Sequence, residues 1–229
     1  MMPRIAVHDL AVHYGSRLVF EAVSFQLSGG QSVGVIGGNG AGKTTLLRAM
    51  VGGLTPSTGA VSLDGRPPRQ ALRHTNVAYF AGDATLPGFV RACTWGTLGT
   101  GQAVTADRRP IRALSRGTRQ LLGLRTALGR HPLDLVILDE PWEGLDADAA
   151  RWLTATLEAK RDRGAAIILS SHRLHDLAGL CDSYVCLVGG RATVIRAHEI
   201  APPGAVTGDV LTDLLDRMRG GPLRLFAAR

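Results

Sequence analysis

The chain has 229 residues and 24.2 kDa, with 45% hydrophobic and 20% charged side chains; this allows one sizeable core and excludes disordered, collagen-like and disulfide-framework proteins. Its formal net charge is +7, yet Lys43 and Lys160 are the only lysines among 26 basic residues. That balance fits a nucleic-acid face, an anionic membrane surface or, favoured here, a plain compositional skew toward arginine. No aromatics interleave with the arginines as a single-strand binding face requires, and the charge alone decides nothing.

In chain order, Ile5-Ala6-Val7 and the stretch Leu18 to Leu27 alternate apolar and polar residues, which predicts a small antiparallel sheet. Ser32 to Ile36 is a short apolar strand running into a glycine-rich turn, and Leu46, Leu47, Met50 and Val51 then repeat at helical spacing over Thr44 to Val51. Val77 to Phe80 is a further strand. Between about Pro87 and Arg130 strand signals vanish, and Ile111 to Leu128 reads mostly helical, as an inserted helical lobe. Leu135 to Leu138 and Ala166 to Leu169 are near-continuously hydrophobic, as in strands covered on both faces, and they flank a helix over Asp146 to Arg163. Strands alternating with helices predict an α/β fold with a mostly parallel sheet. A short amphipathic helix from Val210 to Met218 closes the pattern and is expected to stop at Gly220-Gly221-Pro222. No apolar run approaches the ~20 residues of a membrane-spanning helix, and Met1 to Asp9 meets charge before any signal-peptide run develops, so the chain is expected to stay in the cytosol. Cys93, Cys181 and Cys186 lack metal-ligand spacing and read as small hydrophobes or free thiols.

Gly37-Gly38-Asn39-Gly40-Ala41-Gly42-Lys43-Thr44 fits G-x-x-x-x-G-K-[ST] between a strand and a helix. Glycines let successive backbone N–H groups converge on phosphate oxygens, the helix start adds its positive dipole end, Lys43 reaches the β- and γ-phosphates, and the Thr44 hydroxyl can ligate Mg²⁺. With Thr45 in the same first turn, these nine residues are the candidate triphosphate contacts.

Asp139 and Glu140 stand at the carboxyl end of the strand Leu135 to Leu138, where open α/β sheets bind ligands. Their chemistry differs: Asp139 suits a Mg²⁺ shell, whereas Glu140 suits orienting or deprotonating an attacking water. His172 follows the next buried strand and would reach the γ-phosphate from the same edge. His172 and His175 stand three apart with no third ligand following, which gives a metal site little support.

With these motifs in place, the sequence resembles the nucleotide-binding domain of the ATP-binding cassette (ABC) family from about Arg4 to Arg196. The decisive piece is Leu114-Ser115-Arg116-Gly117-Thr118-Arg119-Gln120, similar to the family signature and absent from other P-loop ATPases. The resemblance implies that Tyr14 stacks on adenine, that Gly144-Leu145-Asp146 is the D-loop and that His172 is the switch histidine. It divides the chain into a nucleotide-binding domain, residues 1–201 with a helical subdomain at about 87–130, and a tail, residues 202–229.

The resemblance further implies ATP and Mg²⁺ as cofactors, and a homodimer or a pair with a paralogous cassette. In that pair Ser115, Arg116, Gly117 and Thr118 of one copy close over the γ-phosphate held by the other. A hydroxyl and free N–H groups at a helix start form an anion site, which gives the pairing a physical reason. A separate transmembrane permease, at the inner face of the cell membrane, is the implied partner. Two positions depart from the family pattern. Gly82 stands where the family has its Q-loop glutamine, leaving Asp83 as a substitute metal ligand; Arg116 replaces the first signature glycine and either adds charge beside the γ-phosphate or faces solvent. The expected function is an ATP-hydrolysing subunit powering a permease, with export slightly favoured. The alternatives are a soluble ABC ATPase acting on nucleic acid or ribosomes, and a weakly hydrolysing regulatory cassette.

Overall fold

A computed structural model describes residues 5–220, apart from 103, 131 and 203. Nine strands form one sheet in the order β4-β1-β2-β9-β8-β3-β7-β6-β5. The N-terminal strands β1 (Ile5–Tyr14) and β2 (Arg17–Leu27) pair antiparallel as expected, and β4 (Thr58–Leu63) adds to β1 on its other side. Beyond them β3 (Ser32–Gly37), β5 (Val77–Phe80), β6 (Leu135–Asp139), β7 (Ala166–Ser171) and β8 (Ser183–Val188) run parallel, and β9 (Arg191–Arg196) turns back along β8. The class is α/β with a mixed, mostly parallel sheet. The hairpin of β8 and β9 adds to the strands read from the sequence, and β8 lies next to β3 at the centre of the sheet.

The hydrophobic runs are continuous because both sheet faces are covered. Leu135 and Ile137 of β6, with Val185 and Leu187 of β8, enter a core shared with Leu46, Leu47 and Met50 of α1 (Lys43–Met50). Their neighbours Val136, Leu138, Tyr184 and Cys186 point into the opposite core, built with α4 (Arg116–Leu128), α5 (Ala147–Asp162) and α8 (Gly208–Gly220). Each fully buried Leu or Ile contributes about 1.5–3 kcal/mol, so the sheet centre is the stable platform beneath the loops at its carboxyl edge.

Between β5 and β6 lie α3 (Ala92–Thr100), a 3-10 turn at Ile111–Ala113, and α4. The segment Ile111 to Leu128, read as mostly helical, is a 3-10 turn and a helix separated at Leu114 and Ser115, both in extended conformation. Ser115 causes the break: its side chain accepts from the Thr118 N–H and starts a new helix as its N-cap. Ala92, Ile111, Leu114 and Leu122 form a small core within this segment. The short helices α2 (Pro68–Ala71), α6 (Leu174–Leu177) and α7 (Ala197–Ile200) serve as connectors. The C-terminal helix is longer than its amphipathic pattern suggests; Gly221 and Pro222, expected to end it, lie outside the described residues.

Both lysines are buried, Lys43 at 7% and Lys160 at 4% exposure. Lys160 belongs to the inner stripe of α5 with Ala149, Leu153 and Leu157, and among the described residues its Nζ finds only a long 3.5 Å hydrogen bond to the Arg130 carbonyl. Burial, reinforced by nearby Arg163, lowers its pKa from the ordinary value of 10.5. At neutral pH the folded chain therefore carries a penalised ammonium, and Lys160→Met is expected to stabilise by about 1 kcal/mol, a Tm rise of about 2–4 °C for a chain of this size. As pH rises from the depressed folded pKa toward the unfolded one, the native state sheds the proton first and wild type gains stability. Thermal melts should thus show the methionine advantage at pH 7 shrinking by pH 10; an advantage that grows instead would refute the burial argument.

Candidate nucleotide site

Register assembles the acidic end of the site. Asp139, the last residue of β6, pairs with Ser170 of β7, which in turn pairs with Val35 of β3, two residues before Gly37. Ser170 Oγ consequently donates to Asp139 Oδ1 and accepts from the Glu140 N–H at 3.0 Å. From the other side, the Thr44 hydroxyl donates to Asp139 Oδ2 at 2.5 Å. Two hard oxygen donors from separate elements thereby meet beside the loop, a donor set suited to Mg²⁺.

The loop between β3 and α1 wraps the lysine. Lys43 Nζ donates to the Gly37 carbonyl at 2.9 Å and the Gly38 carbonyl at 3.3 Å, and pairs with Glu140 Oε1 at 3.2 Å. Gly42 caps α1 at φ +101°, and a β-carbon there would stand 2.8 Å from Val19 Cγ1, so both conformation and close approach require glycine.

Glu140 is held from every side. Its backbone lies at φ +46°, a left-handed conformation that costs about 1–3 kcal/mol in a non-glycine residue and persists only when the surroundings over-determine it. Those surroundings are visible. Ser170 takes its N–H, the buried Gln120 amide donates to its carbonyl at 3.2 Å, Lys43 pairs with Oε1, and His172 reaches Oε2 through its N–H at 3.1 Å and through Nδ1 at 2.8 Å. His175 turns elsewhere, toward Arg173 and Asp176, so the two histidines do not face one site. Among the described residues no group of three or more His, Cys, Asp or Glu could hold a metal.

Tyr14, Gly38, Asn39, Gly40, Ala41, Gly42, Lys43, Thr44, Thr45 and Glu140 line one cleft of about 370 Å³, together with Arg17, Leu18 and Val19. Tyr14 is 52% exposed at the end of β1, an aromatic face presented to the cleft mouth. A larger cleft of about 1040 Å³, lined by Arg73, His74, Asn76, Tyr79 and Arg130 among others, contains none of the expected site residues. The convergent lysine, carboxylates and glycine loop single out the smaller one.

Other expected residues lie apart from this cleft. Ser115 and Thr118 cap α4 at an exposed surface, their hydroxyls 2.7 Å apart. Gly117 packs on the loop after β6 so tightly that a β-carbon would stand 2.4 Å from the Gly144 carbonyl oxygen. Asp146 caps α5, accepting from the Ala149 N–H at 2.8 Å. Asp83 does not join Thr44 and Asp139; its carboxylate is bound by Arg119, with Arg116 Nε at 3.7 Å. Arg116, 59% exposed, lies outside the cleft of its own chain, and its Nη2 pairs with Glu143 Oε1 at 2.8 Å. Ser170 is the contributor that motif reasoning misses, and Gln120, the last residue of the signature, has a contact with Glu140 that the motif alone does not disclose. Their signals were a hydroxyl within an otherwise apolar buried strand and an amide on a helix's inner face.

A glycine cradle, a buried lysine and a hydroxyl–carboxylate pair at the carboxyl edge of a parallel sheet define a P-loop nucleoside triphosphatase. Residues 20–143 match the ABC transporter family model, and the chain belongs to that family. It is 32% identical to a zinc import ATP-binding protein, ZnuC, of Pseudomonas putida over 90% of this chain and 80% of that protein. Similarity is comparable to a Nod factor export ATP-binding protein I of Cupriavidus pinatubonensis, 31% identical over 90% of this chain and 71% of the relative. An uncharacterized ABC transporter ATP-binding protein of Methanocaldococcus jannaschii is 32% identical over 84% of this chain and 77% of its own length. Among solved structures, an ATP binding subunit of an ABC transporter superposes with a TM-score of 0.77 at 25% identity, over 93% of this chain and 99% of that one. The protein is an ATP-binding subunit of a transport system and an ATPase. No helix among the described residues is long and apolar enough to cross a membrane.

Proposed function

We propose that two copies of this chain, or this chain and a paralogue, close head to tail around ATP at the inner face of a membrane, and that hydrolysis reopens them to drive a separate permease. The observation that carries this reading is the separation of the two anion-binding elements. The Lys43 loop and the Ser115 helix start do not share a cleft within one chain, so a triphosphate held by the first needs a second chain to meet the other. In that arrangement Tyr14 stacks on the base, Gly37 to Thr45 hold the phosphates, and His172 reads the γ-phosphate. Thr44 and Asp139 would hold Mg²⁺, whose role is to neutralise charge on the phosphate oxygens. Glu140 orients and deprotonates the water. Residues 87–130 act as the helical lobe carrying Ser115, Arg116, Gly117 and Thr118, and Asp146 approaches the partner copy. Relatives named for import and for export match at similar identity, so the proposal covers the motor and not the direction of transport.

The permease has a suitable seat beside the edge strand β5. Trp95, Leu98, Gly99, Thr126, Ala127 and Arg130 line a groove there. Leu98 is 72% exposed, and the buried Trp95 Nε1 and Thr126 Oγ1 have no hydrogen-bond partner among the described residues. Co-purification from membranes tests the proposal. A multi-spanning partner that accelerates ATP turnover is expected; turnover indifferent to membranes, with no such partner recovered, would sink it.

A further inference from the structure

We infer that Asp83 is a positioning residue that fixes the start of α4, and with it Ser115 and Gly117, through the guanidinium groups of Arg119 and Arg116. Asp83 opens the 3-10 turn Asp83–Thr85 that follows β5. Its Oδ2 is 2.9 Å from both Nε and Nη2 of Arg119, and its side chain is only 13% exposed. The same guanidinium donates through Nη1 to the Leu114 carbonyl at 2.8 Å, one residue before the Ser115 cap. Arg119 is thus held between the carboxylate and the chain entering the helix. Arg116 extends the cluster, with Nε 3.7 Å from Asp83 Oδ1 and Nη2 2.8 Å from Glu143.

Two anions and two cations therefore tie together three segments: the turn after β5, the start of α4, and the loop that follows Glu140. Arginine suits such a knot because its rigid planar fork binds carboxylate and carbonyl at once. Gly117, seated on the Gly144 carbonyl, adds a backbone contact between two of those segments. The helix start cannot tilt without breaking these contacts together. Both departures of this chain from the family pattern, Gly82-Asp83 in place of a glutamine and Arg116 in place of a glycine, meet at this one cluster. A change on the turn after β5 is thereby transmitted to the serine that, on the two-copy reading above, meets the partner's nucleotide; the inference rests on that reading.

The test uses the full chain carrying Glu140→Gln, with ATP-driven pairing followed by light scattering. Adding Asp83→Asn is expected to raise the ATP concentration for half-pairing about tenfold, because two guanidinium groups then face each other without their carboxylate. ATP affinity of dilute single chains, read with a fluorescent nucleotide, should stay within about twofold, since Asp83 does not reach the phosphate loop. Asp83→Glu, which keeps the carboxylate for both guanidinium groups, should restore part of the pairing that Asp83→Asn loses, which separates positioning from simple misfolding. Should Asp83→Asn pair like its parent, the inference falls alone. A matched loss of single-chain ATP affinity with a raised Mg²⁺ requirement would make Asp83 a metal ligand and overturn it. If the parent itself fails to pair with ATP, the two-copy reading falls and takes the inference with it.

Discussion

Replacing Glu140 by glutamine is expected to cut ATP turnover by about 10²–10⁴-fold, the range lost with a general base, while ATP binding is kept or tightened. The amide matches the carboxylate in shape but cannot accept a proton. It also surrenders the pairing with Lys43 at 3.2 Å, a contact that an arriving triphosphate must displace. The substitution therefore removes the chemistry and a competitor for the lysine in one step. Phosphate release and nucleotide affinity, measured on the same preparation, check both halves. Turnover within tenfold of wild type would move the base elsewhere, with His172, 2.8 Å from Glu140, the first candidate.

Lys43→Ala is expected to weaken ATP binding at least about 100-fold, because it removes a charge-assisted contact worth about 1.5–3 kcal/mol to each phosphate group it meets. It also acts on the nucleotide-free protein. The carbonyls of Gly37 and Gly38 lose the lysine donor, and the Glu140 carboxylate, at 21% side-chain exposure, keeps His172 as its one partner among the described residues. A lowered Tm without nucleotide and the absence of any ATP-dependent Tm rise are the paired readouts. A variant that still gains stability on adding ATP would show that the loop's N–H groups hold the phosphates without the lysine.

The phosphate loop and the acidic strand end were readable in the sequence because each combines a short motif with a strand beside it. Spatial partners across long separations were not. Ser170 becomes a partner of Asp139 only through the β6–β7 register, and Asp83 meets Arg119 36 positions away in a chain crowded with arginines that could each have served. The positive φ of Glu140 leaves no trace in residue identity, since strain of this kind is imposed by neighbours. Ser115 was legible as a helix start from its place in the signature, whereas the separate 3-10 turn at Ile111–Ala113 before it was not, because apolar spacing reads helical across both. The β8–β9 hairpin lay past the last motif, where no chemistry drew attention to an apolar run.

The burial of both lysines has a practical corollary. Guanidinium groups resist acylation, so reagents and cellular enzymes that target side-chain amines find only two substrates here, Lys160 in the interior and Lys43 at the floor of the nucleotide cleft. Control by acetylation or ubiquitin attachment at lysine is consequently denied to the folded surface, and lysine-to-lysine crosslinks to neighbouring proteins should be rare from this subunit.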